Sequence, residues 1–587
     1  FVSFDTGLEK VDSAKLQEIV KGAVLSSVQL IMKEIGKKND LEYVRNLQDT
    51  YFLFATAENI DPAGDLQISA GSLTLTNVNT YVGTTTIDSG ATLYSTGSGS
   101  IATSSGVVAN GTFDISGVTT GASIKTLSGS GVVTLGAKTL TLTAANDTFS
   151  GQINGTNGGL TLTGSETLSG NNGYTGATTI NSGATLALST AGAIASSSSV
   201  AANGTFDISA VTTSASIVTL SGSGTTTLGG KLLTITNGST TFSGAINGTS
   251  GQLTISGGTE TLSGNNGYTG ATIINSSATL ALTGSGAIAS SSSVAVTGTF
   301  NISGVTTSAS IKSLSGVSGS SVYLGTKLLI LTAANDTFNG VISNANGDLT
   351  ISSGTETLTG VNTYIGNTTI SSGATLVISG TGKLGDSAGS YGGNMSIDGT
   401  FKYSSSSDQT LTGIISGAGS ITKDTSATST LTLQGANTYS GGTTVTAGTV
   451  KAAHATALGA SSSSVTINSG AVLDLNGTGV TNTNALTLNG TGISSGGGLI
   501  NSSSSAASYA GAITLGSTSS IKNNGPLTLN GTINGGYDLT ITTTNASAGA
   551  TGVLTLANTI GATTPLTSLT INYFFPSSYP NMVAAVG

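Results

Sequence analysis

The chain repeats itself. From about residue 65 a unit Asn-x-Tyr-x-Gly returns five times, at Asn79, Tyr81 and Gly83; Asn172, Tyr174 and Gly176; Asn266, Tyr268 and Gly270; Asn362, Tyr364 and Gly366; and Asn437, Tyr439 and Gly441. Successive tyrosines lie 93, 94, 96 and 75 residues apart. Two other markers keep step with them. Gly111-Thr112-Phe113 recurs around Phe206, Phe300 and Phe401, and Thr148-Phe149 recurs at Phe242 and Phe338. A chain built this way must stack its segments, because no single segment can bury an apolar face alone.

The pattern inside one period predicts strands. Ala177-Thr178-Thr179-Ile180 alternates, Ser182-Gly183 turns, and Ala184-Thr185-Leu186-Ala187-Leu188 alternates again. Short alternating runs broken by Gly, Asn and Ser roughly every 8–12 residues suit an all-β stack. Coils of roughly 20–25 residues, four to a long period, would satisfy it. In the structural reading of the Tyr motif, Asn bonds its own backbone at a turn, with stacked Asn ladders at coil corners, and Gly supplies positive φ or a close approach. The competing reading of the motif is carbohydrate contact. The position after each marker Phe reads Asp114, Asp207, Asn301 and Lys402. A site that reverses charge between repeats belongs to a solvated face rather than to a catalytic centre.

These residues carry a resemblance. The segment from Leu168 to Leu186, Leu-Ser-Gly-Asn-Asn-Gly-Tyr-Thr-Gly-Ala-Thr-Thr-Ile-Asn-Ser-Gly-Ala-Thr-Leu, resembles the autotransporter-associated β-strand repeat. That repeat occurs in passenger regions of bacterial type V secreted proteins and other large surface proteins. The resemblance implies a right-handed parallel β-helix, export to the bacterial surface or beyond, and commonly adhesion or surface coating. The run from Thr570 to Gly587 holds no set of amphipathic strands for an outer-membrane barrel, which leaves the secretion route open. The chain opens at Phe1 without a leader pattern and is read as a product whose targeting signal has been removed.

Composition divides the chain. Residues 1–64 hold 17 charged side chains, whereas 65–587 hold only 26. Within the first segment Leu16, Ile19, Val20, Ala23, Val24, Val28, Ile31 and Ile35 recur at helical spacing, predicting an amphipathic helix that ends near Gly36. Leu41, Val44 and Leu47 suggest a second, shorter helix. The stripe packs on the first coil as a cap or joins subunits; the third alternative, membrane insertion, is disfavoured by Lys15, Glu18, Lys21, Lys33 and Glu34, which interrupt it. The expected organisation is a helical head (1–64), a repeat solenoid (65–480) and a divergent C-terminal solenoid or cap (481–587). The fold class expected is mostly β, a right-handed parallel β-helix with a small N-terminal α-helical region.

Little chemistry is legible. A formal net charge of −9 and the lack of a basic stripe argue against nucleic acid and anionic lipid as partners. No apolar run is long enough to span a bilayer as a helix. His454 is the only histidine and cysteine is absent, so a multi-His or Cys metal site is excluded; His454 reads as a surface or turn residue. Acidic residues in the repeats are mostly singletons and suggest no acid/base couple. Gly380-Thr381-Gly382-Lys383-Leu384-Gly385 matches a dinucleotide fingerprint but lacks its strand–helix context. No catalytic, cofactor-binding or metal-binding residues are therefore assigned, and the chain is expected not to be an enzyme. The expected function is a secreted or cell-surface structural or adhesive solenoid, one version of which self-assembles through the head and solenoid ends into a filament or envelope layer. Its partners would be further copies, a cell surface or a glycan. The alternative is a glycan-binding or glycan-cleaving β-helix, including a virion appendage.

Overall fold

The computed structural model describes residues 53–54, 62–344, 346–544 and 553–574. The expected helices and the apolar stripe from Leu16 to Ile35 lie outside these residues, and the described part contains no α-helix, only strands and one 3-10 turn at Ile493–Ser495. It is a parallel β-solenoid of about 24 turns among the described residues. The chain divides into two compact units, Phe1–Ala271 and Thr272–Gly587.

In the first unit one ladder pairs Leu53, Leu73, Leu93, Phe113, Val133 and Ile153 in succession, all in parallel. Each step advances 20 residues, which is the length of one coil at that face. The first rung, Leu53–Phe54, already lies inside the segment that composition set apart as the head. Inward positions follow the period of two: Thr178 and Ile180 are buried and Thr179 between them is half-buried. Leu140, Leu160 and Leu186 are fully buried, as are Phe113, Phe149, Phe206 and Phe242. Stacking like on like is the solenoid's form of cross-strand pairing. Gly183 turns the coil at φ +78° with open space where a Cβ would project, a conformation that glycine adopts without cost.

The second unit continues the same plan with longer coils. Ile378, Tyr403, Lys423, Val445, Ile467, Leu488 and Leu515 form one inward column. Leu473, Leu499, Ile521, Ile541 and Ile571 form another, which carries the parallel ladder through the divergent region after residue 480. At the turn equivalent to Gly183, Ser277 holds φ +65°, so one repeat takes this turn at a modest strain cost.

The position after the marker Phe does more than face water. Asp114 and Asp207 in the first unit and Asn301 in the second stand at a β-bulge, where the bulged strand gains one residue over its partner. In each, the side-chain oxygen accepts the N–H of the residue two further on, Ser116 (2.8 Å), Ser209 (2.8 Å) and Ser303 (2.9 Å). The short side chain thus satisfies a donor that the bulge removes from the ladder. At Lys402 the register runs without a break through six pairs, so no donor is freed and the lysine instead pairs with Asp424 at 2.7 Å.

Candidate functional site

The Asn-x-Tyr-x-Gly motif forms a joint between coils. Asn172 lies in the loop before strand Thr178–Ile180, and its side chain bonds three successive levels. Its Oδ1 accepts the N–H of Ile153 in the preceding coil (2.9 Å), while Nδ2 donates to Gly170 (2.8 Å) and to Ala193 in the following coil (3.1 Å). Asn362 repeats this with Ile342, Gly360 and Lys383, and Asn437 with Ile415 and Ala457. Asn266 accepts from Ile246 and donates to Gly264; Asn79 donates to Asn77 and Ser100. The sequence suggested that Asn would bond its own turn and stack in a ladder. The bond to the amide's own turn is present in four repeats; beyond it each amide also reaches across to neighbouring coils, a partnership that only stacking creates.

The tyrosines point inward. Tyr81, Tyr174, Tyr268, Tyr364 and Tyr439 are at most 1% exposed, which leaves no ring face for a ligand. Tyr174 Oη meets Thr178 Oγ1 at 2.7 Å, Thr178 meets Ser197 Oγ at 2.9 Å, and Ser197 donates to the Gly176 carbonyl at 2.9 Å. Because a carbonyl can only accept, the run is directional: Tyr donates to Thr, Thr to Ser, and Ser to the backbone. Tyr81, Thr85, Ser104 and Gly83 repeat the circuit. In the fourth repeat Tyr391 replaces the serine, bonding Thr368 (2.7 Å) and the Gly366 carbonyl (2.5 Å), with its ring edge-on to Tyr364 at 5.7 Å. Burial pushes the Tyr81 phenol up to about 12 and those of Tyr174, Tyr364 and Tyr439 further, so all remain donors.

The glycine completes the joint. A Cβ on Gly176 would stand 2.5 Å from the carbonyl oxygen of Gly158 and 2.7 Å from that of Asn157. On Gly83, Gly270, Gly366 and Gly441 it would likewise meet backbone carbonyls of the preceding coil. The Gly176 N–H donates to the Gly158 oxygen at 2.8 Å, so the same close approach that makes this bond excludes a side chain.

One set of residues escaped the sequence reading. Glu166, Glu260 and Glu356, each six positions before the motif Asn, are 1%, 0% and 0% exposed. Glu166 pairs with Leu186 and Glu356 with Leu376, and in the first and fifth repeats the equivalent positions are Leu73 and Leu431. The available signal was alignment of the repeats, which puts glutamate in phase with leucine at an inward position.

No cluster of His, Cys, Asp or Glu among the described residues can hold a metal ion. His454 sits half-buried in a turn, its Nδ1 3.1 Å from both the backbone nitrogen and the hydroxyl of Thr456. The second unit bears a groove of about 480 Å³. Its walls include Thr491, Ser495, Ser520, Thr540, Thr542 and Lys522, whose ammonium is in no ion pair among the described residues. No described helix is long and apolar enough to cross a membrane.

Stacked parallel coils joined by buried amide and hydroxyl circuits define a repeat β-solenoid. The passenger-associated-transport-repeat family matches five segments of it, residues 67–93, 157–188, 257–282, 351–378 and 428–452. Each match runs from the inward Leu or Glu strand through the Asn-Tyr-Gly joint into the following strand, so the chain carries this repeat five times. Comparison with curated proteins and with solved structures returned no match.

Proposed function

We propose that the chain is the passenger solenoid of a secreted, surface-displayed protein, and that its work is structural or adhesive rather than enzymatic. The observation that carries this reading is the coincidence of all five passenger-repeat matches with the Asn-Tyr-Gly joint. The most specific residues of the chain are spent on holding coils together. The carboxyls that share a level in successive coils, Glu166 with Asp147 and Glu356 with Asp336, include a glutamate shut away from solvent, which does not suit acid/base work on a polymer.

In this reading the apolar stripe of the first segment joins copies. Light scattering on the full chain is expected to give an oligomer, and Val24→Asp with Ile31→Asp to give monomers, since a buried charge is not tolerated in an apolar seam. A monomeric wild-type chain overturns the assembly version and leaves a monomeric adhesin. Electron microscopy of the same sample distinguishes filaments from layers.

The groove beside Lys522 favours a second reading, recognition of an acidic glycan, because hydroxyls line it and one cation is unspent. Titration calorimetry with carboxylated and sulfated oligosaccharides is expected to detect binding that Lys522→Ala weakens about tenfold, the loss of one charge-assisted hydrogen bond. Equal binding by both proteins sinks this reading.

A further inference from the structure

Residues 65–587 contain three glutamates, and all three are buried at the same place in successive long repeats. Every other acidic residue in that region is aspartate. Neither carboxyl oxygen of Glu166, Glu260 or Glu356 has a hydrogen-bond partner, and neither ion pair of the described residues involves them. The coil before each presents a polar group at the same level. The N–H after each glutamate donates to the carbonyl of Asp147 (3.0 Å), Thr240 (3.0 Å) or Asp336 (3.1 Å), which fixes that register. In the following coil Leu186 packs beside Glu166 and Leu376 beside Glu356.

None of these neighbours completes a hydrogen bond or an ion pair to a carboxylate. Asp147 and Asp336 bring a second negative charge rather than a positive one. The Thr240 hydroxyl has already given its proton to the Leu220 carbonyl at 2.6 Å, so it can only accept. The neutral acid, by contrast, is close to leucine in shape and loses far less on leaving water than the carboxylate does, and Leu73 and Leu431 occupy the position in the other two repeats. An ionised carboxylate in an apolar site is far more costly than a neutral one.

We propose that these glutamates make the solenoid a proton-linked structure: each is held in the folded coil as the neutral acid, and folding draws one proton per glutamate from solvent. Burial, the first cause in all three, pushes each carboxyl up to about 9; Asp147 and Asp336 add to this at Glu166 and Glu356. At Glu166 the Asp147 backbone N–H opposes the shift in part, and at Glu260 the polar groups of Leu220 and Thr240 do, though none is in hydrogen-bonding geometry. An acid raised in the folded state leaves stability fully present below its unfolded value of 4.5, and that stability is lost as pH rises toward about 9. Within this window each glutamate lowers the folded-to-unfolded ratio of its cooperative segment about tenfold per pH unit.

The test is the urea midpoint of the full chain between pH 4.5 and 9, beside the triple variant Glu166→Gln, Glu260→Gln, Glu356→Gln. The wild-type midpoint is expected to fall steadily with pH and the variant's to fall less. Gln brings buried donors of its own, so a second triple variant with Leu, the residue of the first and fifth repeats, guards against simple misfolding. The Leu variant, which has no unpartnered polar atoms at these positions, is expected to exceed wild type by a margin that grows from pH 4.5 to pH 8. Infrared spectra of the native protein at pH 7 are expected to show a carboxylic-acid carbonyl band that both triple variants lack. Parallel pH profiles for wild type and variants, or no such band, would overturn the proposal.

Discussion

Replacing Asn172 with Ala is expected to destabilise its repeat by about 3–5 kcal/mol. The amide is 2% exposed and makes three bonds to backbone groups. Truncation strands the Ile153 N–H and weakens the satisfaction of two carbonyls, and each stranded buried group costs about 1–3 kcal/mol. Asn181, nine residues later, supplies the control. Its amide donates to Thr163 at 3.1 Å in an exposed setting, and Asn181→Ala is expected to change stability by less than about 0.5 kcal/mol. Denaturant unfolding of both variants, with hydrogen exchange at Ile153, measures the difference. Equal losses would show that the joint is no stronger than a surface contact. Because repeats contact mainly their neighbours, protection is expected to fall first in the coils flanking residue 172.

Gly176→Ala is expected to cost about 3 kcal/mol or more, and Gly183→Ala only about 1–2 kcal/mol. The two glycines are seven residues apart and differ in kind. Gly183 has a left-handed backbone and open space around it, so an added methyl meets conformational strain alone. Gly176 has no such backbone, but its methyl would press on the carbonyl oxygens of Gly158 and Asn157. Those oxygens are backbone atoms of the turn before strand Gly159–Leu168 and cannot swing aside as a side chain would, so two coils must separate. Thermal unfolding of the two variants ranks them. A Gly176→Ala protein as stable as Gly183→Ala would mean that the coils tolerate a wider spacing than the structure gives them.

Much of this architecture was legible beforehand, for identifiable reasons. The strands could be placed because inward and outward residues alternate, as Thr178, Ile180, Leu186 and Leu188 do on the inward side of the second repeat. The turn at Gly183 could be placed because Ser-Gly between two alternating runs has few other uses. The role of Asp114, Asp207 and Asn301 was not legible. Their charge variation said only that they face outward, whereas the need they meet arises from a bulge that depends on the partner strand. Glu166, Glu260 and Glu356 were also passed over, because a lone acidic residue in a polar sequence looks like surface.

What the sequence determined by itself was the period, the strand alternation, the turn chemistry and the resemblance to passenger repeats, all of which are properties of neighbours along the chain. Tertiary structure decided what each repeated residue touches: that Asn172 bridges three coils, that Tyr174 starts a hydroxyl circuit, and that Gly176 serves close approach, against the carbonyls of Gly158 and Asn157. The reason is that a solenoid brings together residues about 20 positions apart, as at Leu73 and Leu93. Hydrogen bonding, steric fit and desolvation at such contacts belong to the pair of coils and are written in neither one alone.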